Sequence, residues 1–346
     1  MKLLVVKLSA FGDIVHSLPA LDDLLARPEV EEVHWLVDRR YRFITDVFPD
    51  KVIVHEVALK GDHPLRSAWQ AIRTLRKLDF DVVIDLQGLL KTGILARMTG
   101  KLPYGFDASQ TPEWPNHWFV RPVAFHPDET HVVQVYRRIA AAPFATASDD
   151  KAIPYKDPRI EVTEKMREAG ACTLADWQLE PRHYVVLHLG GSYATKRLPD
   201  ATWAAVAAGI LERGLTPLLL WGNDDERLTA EAIRAAAPEA VIAPARLGTH
   251  ALCGLLTLSH AYIGVDTGVS HLAAALEVPN VCAWGPTSPD RMGAINHRTR
   301  HVLAGAECSP CFQRSCNAFV CMPDIRPEAL LQAMEDVATL TTGGSD

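Results

Sequence analysis

The chain has 346 residues, of which 48% are hydrophobic and 22% charged, and it carries a net charge of −7. That length exceeds one ordinary core and favours two domains of roughly 150 to 200 residues, while the composition excludes a disordered chain. The acidic balance gives no general nucleic-acid footprint, and no apolar run approaches the roughly 20 residues that a bilayer span requires.

At the N-terminus, MKLLVVKLSAFGD has a lysine and a short apolar run, as an export signal does. Lys7 interrupts the run and no small-residue cleavage site follows, so a first β-strand is expected instead. Short β-branched runs then alternate with amphipathic helical stretches. In the first half the strands are LLVVKL, EVHWLV, KVIVHEV and DVVIDL; in the second they are YVVLHL, LTPLLLWG, AVIAP, AYIGVD and NVCAWG. Nearly continuous apolar strands separated by helices predict parallel sheets covered on both faces, a doubly wound α/β architecture.

Between the two series, residues 145–160 are rich in Pro, Asp and small residues and read as a linker. The expected domains are therefore residues 1–155 and 156–325, followed by a helix over 326–340 that packs back across the junction. The final GGSD is expected to be disordered. Three of the seven cysteines, Cys172, Cys253 and Cys282, sit in apolar segments as small buried hydrophobes. With the odd count, this predicts a reducing cytoplasm. Basic residues cluster locally around Arg39, Arg40, Arg66, Arg73, Arg76 and Lys77.

In open parallel sheets, ligands bind outside the carboxyl ends of the strands. The residues there are polar: Ser9, Gly12 and Asp13; Gln87, Gly88 and Lys91; Gly190, Gly191, Ser192, Lys196 and Arg197; Asn223, Asp224 and Glu226; and Asp266, Thr267, Gly268 and His271. Asp266, Thr267 and Gly268 form a strand-to-helix turn whose backbone N–H groups suit a diphosphate, and Lys196 supplies a cation. The alternative is a helix capped by Asp266 or Thr267 and a solvated surface lysine. Asp79 and Asp81 form an Asp-x-Asp of the kind metal-dependent sugar transferases use, but they precede their strand and read as a solvated turn. His16 is left without a role.

Four segments carry a family resemblance in order and spacing: KLSAFGDIVHSLPAL, DLQGLLKTGILARMTG, HLGGSYATKRLPDATW and GVDTGVSHLAAALEVPNVCAWGPTSP. Over roughly residues 1–290 the chain resembles the lipopolysaccharide heptosyltransferases of glycosyltransferase family 9. The resemblance implies a GT-B fold of two Rossmann-like domains, an N-terminal one facing the acceptor and a C-terminal one holding ADP-heptose. It implies inverting transfer of L-glycero-D-manno-heptose to an inner-core acceptor, Kdo-lipid A, with no cofactor needed for catalysis. Asp13 matches the family's general base and Lys196 its diphosphate-binding lysine. Asp266, Thr267, Gly268 and His271 match the donor-site turn, joined there by Ser192, and Glu226 falls near the acidic residue at the ribose. Ser9, Gly12, Gln87 and Lys91 are expected on the acceptor side.

A carboxylate suits the acceptor side, because a sugar hydroxyl must lose its proton as it attacks the anomeric carbon. A cation and free amides suit the donor side, because the leaving diphosphate gains charge. As a simple helix cap, Asp13 would need no such partner. The acceptor segment YGFDASQTPEWPNHWF departs from the family's more basic, Arg-Glu-containing stretch, although Glu113 remains.

CSPCFQRSCNAFVCM sets Cys308, Cys311, Cys316 and Cys321 in a spacing able to hold a structural Zn or Fe; four unliganded thiols in a loop are the alternative. The expected setting is the cytoplasmic face of the bacterial inner membrane, with peripheral contact through basic and aromatic residues of the N-terminal domain. Competing readings are a family member acting on heptose or on an autotransporter protein, a GT-B-like nucleotide-sugar epimerase, and a two-lobed solute-binding protein.

Overall fold

A computed structural model describes residues 1–145, 151–244 and 246–339. The expected disordered tail and residues 146–150 of the expected linker lie outside the described residues. The chain divides into two compact units, Met1–Pro158 and Arg159–Asp346.

The first unit contains β1 (Lys2–Val6), β2 (Glu32–Asp38), β3 (Val52–Val57), β4 (Val82–Asp85), β5 (Tyr104–Phe106) and β6 (Arg121–Val123). All neighbours pair in parallel, in the order β3-β2-β1-β4-β5-β6. Leu3 to Val6 are wholly buried, as expected of a central strand covered on both faces. Leu4, Val6, Leu36 and Val83 pack with Leu75, Phe80 and Leu95 into one core cluster.

The second unit contains β7 (Tyr184–His188), β8 (Thr216–Leu220), β9 (Val241–Ile242), β10 (Ala261–Val265), β11 (Asn280–Trp284) and β12 (Thr299–Leu303). Its order is β12-β11-β10-β7-β8-β9, again all parallel. Counted from each unit's own first strand, the two orders are the same. Val185, Leu187, Leu219, Ile263 and Val281 form its core with Trp203. The C-terminal helix, Pro327–Thr339, adds Leu330, Met334 and Val337 to that same core. It lies against the helix Asp200–Glu212 and the strands β10, β11 and β12.

Three strands lie outside the nine expected, for physical reasons. β5 and β6 have only three residues each, with Gly105 and Pro122 in their centres; such residues depress strand propensity and confine a strand to the sheet's margin. β12, with the sequence TRHVL, is half polar because it is an edge strand. Among the described residues no helix is long and apolar enough to cross a membrane.

Candidate active site

Both sheets reverse their winding direction between their first and fourth strands, β1/β4 in one unit and β7/β10 in the other. A crevice opens at such a point, outside the strand carboxyl ends. The polar residues singled out above gather at these two places.

In the first unit, the Gln87 side chain joins the two strand ends: its Oε1 accepts from the Leu8 N–H at 3.0 Å and the Ser9 N–H at 2.9 Å. Gly88 follows with φ +69°, and a Cβ there would stand 2.6 Å from Pro112 and 2.8 Å from Phe106. Only glycine fits that combination of left-handed backbone and close approach. The turn is held from beneath by Asp85, the last residue of β4, which is fully buried. Its carboxylate accepts from Gln87 N–H, Gly88 N–H, Thr92 Oγ1 and Asn116 Nδ2, at 2.9, 3.3, 3.1 and 2.9 Å. Burial pushes the Asp85 carboxyl up from its usual range, and these hydrogen bonds only partly oppose it.

Asp13 stands in the first turn of the short helix Phe11–His16 and is half-buried. Its Oδ2 accepts from the Ala10 N–H at 3.1 Å, the backward half of a capping arrangement. Capping therefore uses one carboxylate oxygen, Oδ2, and leaves Oδ1 out of that bond. Nearby, Lys7 is buried, donating to Leu86 O at 3.0 Å and to Tyr136 OH at 2.7 Å. Burial lowers the Lys7 pKa, opposed by the charges of Asp13 and Asp85. Ser9 and Gly12 are half-buried beside Asp13, and Lys91 is exposed in the first turn of the helix Leu90–Met98. Asp79 and Asp81 lie at the opposite, amino end of β4, where Asp81 Oδ2 accepts from the Lys2 N–H.

In the second unit the chemistry is ionic. Lys196 is 6% exposed at the end of a short 3-10 turn, Ala194–Lys196. Its Nζ donates to Asp266 Oδ2 at 2.5 Å and to Asp266 O at 3.3 Å. An ammonium has three N–H donors, so one is not taken by Asp266; the Tyr193 ring lies beside it, its centroid 4.9 Å from Nζ. Asp266, 4% exposed, also accepts from His271 Nε2 at 3.1 Å and Thr287 Oγ1 at 2.8 Å. Burial by itself would raise this carboxyl; the His271 hydrogen bond and charge, with the charge of Lys196, outweigh it and hold the group well below the usual carboxylate range.

Asp266 is thus a buried counter-ion and not a cap. Thr267, the residue before the helix Gly268–Ala275, makes no side-chain capping bond either. The first amides of that helix are left toward the crevice with the positive helix end behind them, an arrangement suited to an anion.

Glu226 is buried beside this cluster, its carboxylate accepting from Gly222 N–H at 2.6 Å and Asn223 Nδ2 at 2.7 Å. A Cβ on Gly190 would meet that carboxylate at 2.6 to 2.8 Å, so β7 and β8 bring Gly190 and Glu226 into contact. His188 lies 3.4 Å from Thr267 Oγ1, and its burial disfavours the charged imidazole despite Glu226. Ser192 is exposed.

A family model, glycosyltransferase family 9 (heptosyltransferase), matches residues 68–320. The lipopolysaccharide heptosyltransferase 1 of Pseudomonas aeruginosa PAO1 is 33% identical over 331 residues, 91% of this chain and 87% of that protein. This chain belongs to glycosyltransferase family 9. Two solved structures share the GT-B fold of this family 9 heptosyltransferase. E. coli heptosyltransferase WaaC with ADP has a TM-score of 0.75 at 22% identity, covering 97% of this chain and 100% of that one. E. coli ADP-heptose lps heptosyltransferase II has a TM-score of 0.79 at 18% identity, covering 99% and 100%.

The cysteine segment of this family 9 enzyme lies against the loop after β11 and the Ala194–Lys196 turn. Ser309 Oγ donates to Gly285 O, Phe312 N–H to Pro286 O at 2.7 Å, and Thr195 Oγ1 to Gln313 O at 2.8 Å. Cys321 opens a short helix and is buried in the core, Cys311 is half-buried, and Cys308 and Cys316 are exposed. Among the described residues no group of three or more His, Cys, Asp or Glu side chains is placed to hold a metal ion.

Sequence reasoning missed Asp85, Asn116, Lys7 and Thr287. Asp85 ends β4 and Thr287 lies just after β11, close to the position that identified the others, but each was read as the end of an apolar run or part of a loop.

Proposed function

We propose that this family 9 glycosyltransferase moves L-glycero-D-manno-heptose from ADP-heptose to an inner-core lipopolysaccharide acceptor, Kdo-lipid A, with inversion at the anomeric carbon. The observation that carries the donor side is the buried Lys196–Asp266–His271 cluster next to an uncapped helix N-terminus at the β7/β10 crevice. A diphosphate seated on the Thr267–Gly268 amides takes the remaining Lys196 donor. As the glycosidic bond to phosphate breaks, the charge gathering on the departing ADP is stabilised by that ammonium and those amides. Glu226, in contact with Gly190, is the carboxylate for the nucleoside's ribose hydroxyls.

On the acceptor side, Asp13 Oδ1 takes the proton from the attacking hydroxyl, while Ser9, Gly12, Gln87 and Lys91 surround the acceptor sugar. The Pseudomonas relative, a lipopolysaccharide heptosyltransferase 1, supports this choice of acceptor class. The reaction then takes place at the cytoplasmic face of the inner membrane. Because Lys196 and the helix amides supply the positive charge, EDTA should leave the rate unchanged.

The test is a panel of nucleotide sugars and acceptors assayed for nucleoside diphosphate release. ADP should appear only when ADP-heptose and Kdo-lipid A are both present. Faster release with another nucleotide sugar, or equal release without acceptor, overturns the assignment.

A further inference from the structure

In a chain of net charge −7, two segments of the first unit contain no acidic residue. Residues 64–77 carry Arg66, Arg73, Arg76 and Lys77, and residues 90–101 carry Lys91, Arg97 and Lys101. Among the described residues none of these seven cations is held in an ion pair. The segments contain the helices Pro64–Arg76 and Leu90–Met98, which line an open groove of about 530 Å³.

The groove is almost wholly apolar. Leu65, Trp69 and Ile72 follow one another at i, i+4 and i+7 along one helix stripe, facing Ile94, Leu95 and Met98 of the other. Leu65 is 85% exposed, Trp69 57% and Met98 46%. On the helical wheel Arg66 and Arg73 flank the Leu65–Trp69 stripe on one side, and Arg76 continues the stripe itself at the last turn of the helix; the Arg73 guanidinium lies 5.4 Å from the Trp69 ring centroid.

We propose that this face is a docking surface for an anionic phospholipid bilayer. An exposed apolar stripe edged by arginine and lysine is the pattern that lies in a membrane interface, the tryptophan and leucine entering the headgroup boundary and the cations meeting lipid phosphates. Charge decides against a second copy as the occupant, since apposing two such faces would place seven cations against seven. The proposal shares only Lys91 with the acceptor residues assigned above and is tested apart from them, with bare phospholipid vesicles and variants that leave Lys91 in place.

The experiment is co-sedimentation of the full chain with phosphatidylglycerol-containing vesicles and with pure phosphatidylcholine vesicles, at low and high salt. The protein should pellet with the anionic vesicles at low salt and be released as salt screens the attraction. The double variant Arg73→Glu/Arg76→Glu should lower the bound fraction at least about tenfold, and Arg73→Lys/Arg76→Lys should retain it. Leu65→Ser/Trp69→Ser should weaken binding and abolish quenching of tryptophan fluorescence by brominated acyl chains. Circular dichroism on each variant checks folding, which these exposed positions do not govern.

Wild-type protein that stays in the supernatant, or binds both vesicle types equally, overturns the proposal. So does anionic binding undiminished in both the charge-reversed and the serine variants, which would place the contact elsewhere. A dimer of the free chain that dissociates in Leu65→Ser/Trp69→Ser would give the face to a second copy.

Discussion

The two crevices share strand order and position yet hold their polar groups in opposite ways. At β7/β10 the site is built on a buried carboxylate, Asp266, that accepts from the Lys196 ammonium and from His271. At β1/β4 the frame is built from backbone amides on side-chain oxygens, Gln87 on Leu8 and Ser9 and Asp85 on Gln87 and Gly88, with the carboxylate of Asp13, the proposed base, half-buried nearby. The difference suits the ligands proposed for each. A diphosphate brings charge into a site and is met by a fixed cation, whereas a sugar hydroxyl is neutral and needs a proton acceptor in a defined place. The same topology therefore fixes where a ligand binds, and the residues after the strands fix what kind.

Replacing Asp13 by Asn is the sharpest way to break the comparison. Asn still accepts from the Ala10 N–H but cannot take a proton. Turnover at saturating donor and acceptor should fall by roughly 10²- to 10⁴-fold while the melting temperature and ADP-heptose affinity hold. A folded variant with near-normal turnover would reduce Asp13 to a cap.

Lys196→Ala acts on the ionic crevice. Losing a hydrogen bond to a charged group, worth about 1.5 to 3 kcal/mol, should weaken ADP-heptose binding roughly 10- to 100-fold by calorimetry. It should also slow transfer, because the departing diphosphate loses its cation. Donor affinity equal to wild type would remove Lys196 from the site.

Gln87→Ala should have a smaller and differently placed effect. It leaves the Leu8 and Ser9 amides without their acceptor, at a cost of about 1 to 3 kcal/mol in stability. The expected kinetic signature is a lower kcat with unchanged donor affinity. Weakened donor binding would contradict the separation of roles between the crevices.

Acid should distinguish the two crevices more gently. The folded Asp266 carboxyl is held below its unfolded value, so its contribution to stability is present above the unfolded pKa of about 4 and fades as pH falls below it. The melting temperature of wild type should therefore drop more steeply below about pH 4 than that of Asp266→Asn. Parallel profiles would mean that Asp266 is not stabilised as its partners indicate.

Nine strands were legible in the sequence because continuous apolar runs have no other use in a chain of this composition, and the turn residues followed from where those runs stop. Ser9, Gln87, Lys196, Glu226 and Asp266 were found by that rule alone. β5, β6 and β12 were not legible, since two have only three residues each and the third, TRHVL, is half polar, so that none leaves an apolar run. Nor does sequence distance reveal that the short helix at Cys321 turns its thiol into the core.

By itself the sequence determined the doubly wound architecture and the list of polar residues at the strand ends, because both follow from local alternation of burial and turn chemistry. Only the tertiary structure decided which of those residues meet. That Asp266 binds Lys196 from 70 positions away, that Gln87 closes the turn after β1 across 79, and that Asp85 takes Asn116 are consequences of strand order. Parallel pairing brings distant chain segments to one crevice, and there burial turns a polar side chain into either a counter-ion or a frame.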